Sequence, residues 1–132
     1  MSSLDSFEQG IDHVPSLQET LDDFHKVYNS IKNNNIEGFS VSEISYVFGT
    51  GTDQYIKFGN THICCAERYN EFTGTRTVKF RIYMDNDTMP VGEDWECLQI
   101  LQSIMPKLKE KCLVISGKDK ITKRIAQELL SI

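Results

Sequence analysis

Residues Thr61–Met84 read THICCAERYNEFTGTRTVKFRIYM, and the fold follows from how this stretch is paired. In its second half Val78, Phe80, Ile82 and Met84 alternate with Thr77, Lys79, Arg81 and Tyr83, the period of two that marks a strand buried on one side. Its first half, Thr61–Tyr69, is a strand of the same kind, and Asn70–Gly74 supplies the reversal between them. Cys64 and Cys65 are neighbours on that first strand, so their side chains point to opposite faces. One thiol is expected to fill the core as a small hydrophobe; the other lies under helices or at the surface.

Upstream, Tyr55–Phe58 makes a further strand that Gly59 and Asn60 reverse into Thr61. Before it, Ile44, Tyr46 and Phe48 lie on one side of an extended segment from Val41, with Glu43 and Ser45 on the other. The GTGTD segment, Gly49–Asp53, is read as the turn. Connections this short join only antiparallel neighbours, which predicts a four-stranded antiparallel meander sheet.

Helices flank the sheet. Ser16 and Glu19 form an S-x-x-E capping box, after which Leu17, Leu21, Phe24, Tyr28 and Ile31 recur in steps of four and three; Asn33–Asn35 and Gly38 end the pattern. Beyond the sheet, Asp94 is read as the cap of a helix carrying Trp95, Leu98, Leu101, Met105 and Leu108, with Cys97, Ile100, Ile104 and Cys112 beside them and Pro106 kinking or restarting it. A short apolar link, Leu113–Ile115, leads to a last helix capped by Asp119 and carrying Ile121, Ile125, Leu129 and Ile132. The expected fold is therefore α+β, with an N-terminal helix and two C-terminal helices packed on the sheet. It spans residues 1–132 as a single domain, with 1–15 an irregular or short helical lead-in.

At 132 residues, 39% of them hydrophobic and 25% charged, the chain is long enough to bury a core without staples. The start, MSSLDSFEQG, has neither a basic nor an apolar targeting region, and no apolar run approaches the ~20 residues of a membrane span. A cytoplasmic or nuclear setting with no membrane partner is expected, and there Cys64, Cys65, Cys97 and Cys112 stay reduced. The net charge of −5 is uneven: Lys107–Arg124 holds seven basic residues against two acidic ones, leaving −10 on the rest. Lys107, Lys111, Lys118, Lys120, Lys123 and Arg124 form a candidate basic patch, although no aromatic is interleaved as nucleic-acid binding would favour.

Sequence spacing offers little chemistry. Cys64 and Cys65 cannot share one metal ion with ordinary geometry, and no C-x-x-C or paired histidine lies near them. DNDTMPVGEDWE, Asp85–Glu96, has acids at three EF-hand positions, but Met89 and Pro90 stand where the loop needs an oxygen ligand and a glycine. SGKDK, Ser116–Lys120, lacks the first glycine and the hydroxyl of a phosphate loop. No metal and no cofactor are expected. His62 and Cys64 share a strand face, the sole pairing from which a thiol enzyme could be built.

In element order alone the chain resembles RWD-type interaction domains and the globular heads of some kinetochore subunits; the tyrosine-proline turn typical of RWD domains is absent, Met89-Pro90-Val91 being a poor substitute. Class I secretion chaperones are similar in size, acidity and fold class. No constellation of acid, base, nucleophile or metal ligands stands out in the sequence.

The reading that results is a non-enzymatic protein-protein interaction module: an adaptor, assembly subunit, chaperone or inhibitor. Its partner is another protein or a second copy of itself. It would bind through an exposed sheet face carrying Tyr55, Lys57, Lys79, Arg81 and Tyr83, or through the helical seam from Leu17 to Ile31. The alternative is a nucleic-acid-binding domain that uses the sheet face and the basic C-terminal helices; a small thiol enzyme ranks third.

Overall fold

The structure, a computed structural model, describes residues 15–113, 125 and 128–130. Helix α1 spans Leu17–Asn34. It is followed by strands β1 (Phe39–Ser45), β2 (Gly51–Phe58), β3 (Thr61–Asn70) and β4 (Thr75–Met84), and by helix α2 (Asp94–Cys112). The strands form one antiparallel sheet in the order β1-β2-β3-β4, so the predicted meander and α+β class are present. Residues 125 and 128–130 are helical. Residues 1–14 of the lead-in, the end of the 113–115 link and the caps of the last helix lie outside the described residues.

Helix α1 begins where the capping box places it: Glu19 N–H donates to Ser16 Oγ at 3.1 Å, and Ser16 N–H donates to Glu19 Oε1 at 3.0 Å. It ends on Asn35, whose positive φ of 51° lets the cap N–H return to the Ile31 carbonyl. Leu21, Phe24, Tyr28 and Ile31 of the heptad-like stripe are buried against the sheet, and Leu17 alone of the five stays half exposed. The stripe thus packs in its own core and presents no seam.

Both helices lie on one face of the sheet, α1 towards β1 and α2 towards β4. Ile56, Ile63, Cys65, Phe80 and Ile82 point into that layer with Phe24, Leu101, Met105 and Leu108, and the Phe24 and Phe80 rings meet at 5.8 Å between centroids. Register accounts for the composition of this face: Val41, Ile56, Ile63 and Ile82 stand in one row across the four strands.

Three expectations are corrected. The turn between β1 and β2 falls at residues 46–50, about three residues before GTGTD, because Gly51–Asp53 pair with Ala66–Arg68. Phe48 therefore leaves the strand and enters a single 3-10 turn at φ 57°, and Ile44 points away from the helices, opposite Asp53. Helix α2 is capped by Glu93 in a capping box with Glu96, which makes Asp94 the first helical residue. The helix continues through Pro106 without restarting, and its buried line is Cys97, Leu101, Met105, Leu108 and Cys112. Trp95 is left exposed.

The two sheet edges differ. On β4, Val91 N–H donates to the Ile82 carbonyl at 2.7 Å, so the 85–93 loop occupies part of that edge. On β1, among the described residues, no strand pairs the far side; the Tyr28 hydroxyl reaches the Ser42 carbonyl at 3.4 Å.

Candidate functional site on the outer sheet face

Strand alternation assigns every candidate on the sheet to a face. Tyr55 stands opposite Cys64 and Cys64 opposite Arg81; Lys57 stands opposite His62 and His62 opposite Tyr83; Asp53 and Ala66 lead to Lys79. All of these residues share the face away from α1 and α2, so Tyr55, Lys57, Lys79, Arg81 and Tyr83 form one surface. Among the described residues, no helix or strand covers it.

The cysteine pair divides between the faces as expected, Cys65 in the core and Cys64 on the outer face. Cys64 is nevertheless only 2% exposed. On a face without a covering element, that burial comes from long neighbours lying across small ones, with Tyr55 and Arg81 flanking Cys64 on the adjoining strands. The face therefore presents a flat layer of aromatic rings and cationic stems over a floor of Cys64 and Ala66.

Charge on this layer is organised by two carboxylates. Asp94, freed from capping, lies 3.4 Å from Arg81 Nε and 3.5 Å from Lys79 Nζ. Asp53 is buried and accepts hydrogen bonds from the Tyr46 hydroxyl at 2.6 Å and from Arg68 Nη1 at 2.8 Å. The Arg68 guanidinium also sits 4.3 Å from the Tyr46 ring centroid. Burial raises the Asp53 pKa, but the bonds from Arg68 and Tyr46 and the Arg68 charge outweigh it and hold the carboxyl below its ordinary value. Among the described residues Lys57 has no such partner, and Tyr55, His62 and Tyr83 line a depression together with Asp85 and Asp87.

The arrangement does not activate Cys64. Burial, with the nearby Asp53 charge, pushes its thiol up to about 11, whereas a nucleophile at neutral pH needs the opposite shift. The EF-hand-like loop is likewise accounted for by helix capping: Glu93 N–H donates to Glu96 Oε1 at 3.0 Å.

In the basic patch, Lys107 and Lys111 are exposed on α2; Lys118, Lys120, Lys123 and Arg124 lie outside the described residues. Lys109 is drawn to α1 by Asp23 at 3.3 Å. Metal-ligating side chains converge elsewhere. On the helix side of the sheet, His25 of α1 meets Cys65 and Glu67 of β3, their ligand atoms all within 4.8 Å of one another. Sequence spacing concealed this group, because His25 reaches it only through the packing of α1 on β3.

At the end of the sheet that holds the β1–β2 and β3–β4 turns, Phe48 is 97% and Phe72 94% exposed. Phe72 is displayed by a turn in which Asn70 Oδ1 accepts from the Phe72 and Thr73 N–H groups. Comparison with protein-family models, curated proteins and solved structures gives no match.

Proposed function

We propose that this chain is a protein-binding module whose outer sheet face receives an acidic segment of a partner protein. The observation that supports this reading is the gathering of Tyr55, Lys57, Lys79, Arg81 and Tyr83 on one sheet face that no described element covers. Tyrosine supplies large contact area with few rotamers to freeze, and both tyrosine and arginine are enriched among residues that dominate binding energy. Asp53 and Asp94 are already engaged by Arg68, Lys79 and Arg81, and Asp85 and Asp87 lie beside Tyr55 and Tyr83, so the attraction for an incoming carboxylate is concentrated at Lys57, Lys79 and Arg81. A seam on α1 is not part of the proposal, since that stripe is packed in the core.

The test is an NMR titration with two probes, a Glu- and Tyr-containing peptide and a single-stranded oligonucleotide of equal charge. The expected result is saturable binding of the peptide, with amide shifts confined to β2, β3 and β4. A Lys79→Glu, Arg81→Glu double variant should weaken that binding at least tenfold and leave the fold unchanged. Preference for the oligonucleotide, with affinity falling steeply as salt rises, would replace this reading with nucleic-acid binding. Binding of neither probe at millimolar concentration would overturn it.

A further inference from the structure

The group at His25, Cys65 and Glu67 lies on the opposite side of the sheet from the proposed binding face. We infer that it is a zinc site that pins α1 to β3. Two elements of the fold place the three ligands. His25 follows Phe24, which is wholly buried, so its ring lies at the flank of the buried stripe with the side chain 34% exposed. Cys65 and Glu67 are two apart on β3 and share the helix-facing side. The three meet at the rim of the core, where Cys65 is fully buried while His25 and Glu67 reach solvent.

The distances suit a tetrahedral ion. His25 Nε2 stands 3.4 Å from Glu67 Oε2, and two ligands each ~2.0–2.1 Å from a tetrahedral zinc are separated by ~3.4 Å. The sulfur need only close from within 4.8 Å to ~3.6 Å of the other two ligands, a side-chain adjustment on the scale of Zn–S bonds near ~2.3 Å.

The outer partner is also in place: Arg76 donates to Glu67 Oε1 from Nη2 at 3.1 Å and from Nε at 3.3 Å. Those bonds fix the carboxylate plane and leave Oε2 directed at the imidazole, the role that second partners play around ligating carboxylates. One nitrogen, one sulfur and one oxygen form a borderline-soft donor set that suits zinc and disfavours magnesium or calcium. On binding, the Cys65 thiol gives its proton to solvent and the thiolate takes the metal. Thiolate and carboxylate then balance the charge of the ion, and a water completes the fourth position on the solvent side.

The experiment strips the full chain with a chelator, titrates it with cobalt(II) as an optical probe, and then displaces the cobalt with zinc. One cobalt per chain should bind with the intense visible bands of tetrahedral geometry and a near-ultraviolet thiolate-to-cobalt band, and zinc should remove both and raise the Tm. Cys65→Ala should abolish the thiolate band, and Cys97→Ser should retain it. Because Cys65 is buried and its variant could fail to fold, His25→Ala on the exposed flank of α1 serves as the second arm and should weaken zinc binding at least tenfold. Absence of the thiolate band in the unaltered chain, or zinc affinity unchanged by His25→Ala, would overturn the inference and leave His25 and Glu67 as an ion pair beside a core thiol.

Discussion

Asp53 is the residue at which the outer face is organised. It is a buried carboxylate on a sheet surface, held by Tyr46 and Arg68, and its neighbours determine both its charge and the position of the Arg68 stem. Because its pKa is depressed in the folded state, its stabilising contribution is present above the ordinary carboxylate value of ~3.9 and is lost as pH falls through the lower folded value. Asp53→Asn should therefore cost about 1–2 kcal/mol at pH 7, a figure reduced for the solvent around Arg68. Urea unfolding of both proteins should show that gap closing in strong acid; a gap independent of pH would mean that shape rather than charge is what Asp53 supplies. Nothing in the sequence marked this residue, since a lone aspartate beside GTGT reads as turn chemistry. Its partners arrive from β3 and from the end of β1. That one cysteine of the Cys64–Cys65 pair would fill the core was legible for the converse reason, since alternation on one strand is local information; that it is Cys65 was not, because register and helix placement decide it.

Among the elements, the hairpin linking β1 to β2 departs most from its sequence pattern. A Cβ on Gly51 would meet the Glu67 carbonyl oxygen at 2.3 Å, so the strands can approach there only because the side chain is absent. Gly51→Ala should lower stability by about 1–3 kcal/mol in chemical denaturation, through displacement of backbone that cannot give way. Phe48 offers the reverse case. It holds a left-handed conformation with its ring in solvent, and Phe48→Gly should raise stability by about 1 kcal/mol, because the steric cost of φ > 0 outweighs the added chain entropy. A loss on that substitution would show that the ring makes a contact in the unbound protein. The sequence placed strands and helices well where a periodic pattern spans several residues, as in β4 and α1. Glycine defeated it at residues 49–53, because Gly49 serves a turn at φ 67° and Gly51 a close approach, and composition does not distinguish these uses. Pro106 does not restart the helix, one of the two outcomes its presence allowed: α2 stays helical with both halves anchored, Leu101 before the proline and Leu108 after it being buried in one core.

For the whole molecule, alternation fixed which residues share a face, but only the placement of α1 and α2 decided which face was left open. That choice rests on long-range packing, and it is why Tyr55, Lys57, Lys79, Arg81 and Tyr83 could be grouped in the sequence while the zinc group could not. The unequal edges of the sheet carry a further consequence. A sheet with two free edges can recruit copies at both ends and grow without limit, the geometry of a fibre. Here β4 is interrupted by the loop bonded at Ile82, whereas the seven residues of β1 have, among the described residues, no strand on their outer side. Association through the β1 edge would join β1 to β1 about a two-fold axis, and the loop bonded at Ile82 interrupts pairing along the other edge, which favours closure over extension. Sedimentation equilibrium at rising concentration should accordingly reveal no species larger than a dimer. The loop that covers Ile82 would then act as a chain terminator for the sheet, holding the protein soluble at concentrations where a symmetric meander would polymerise.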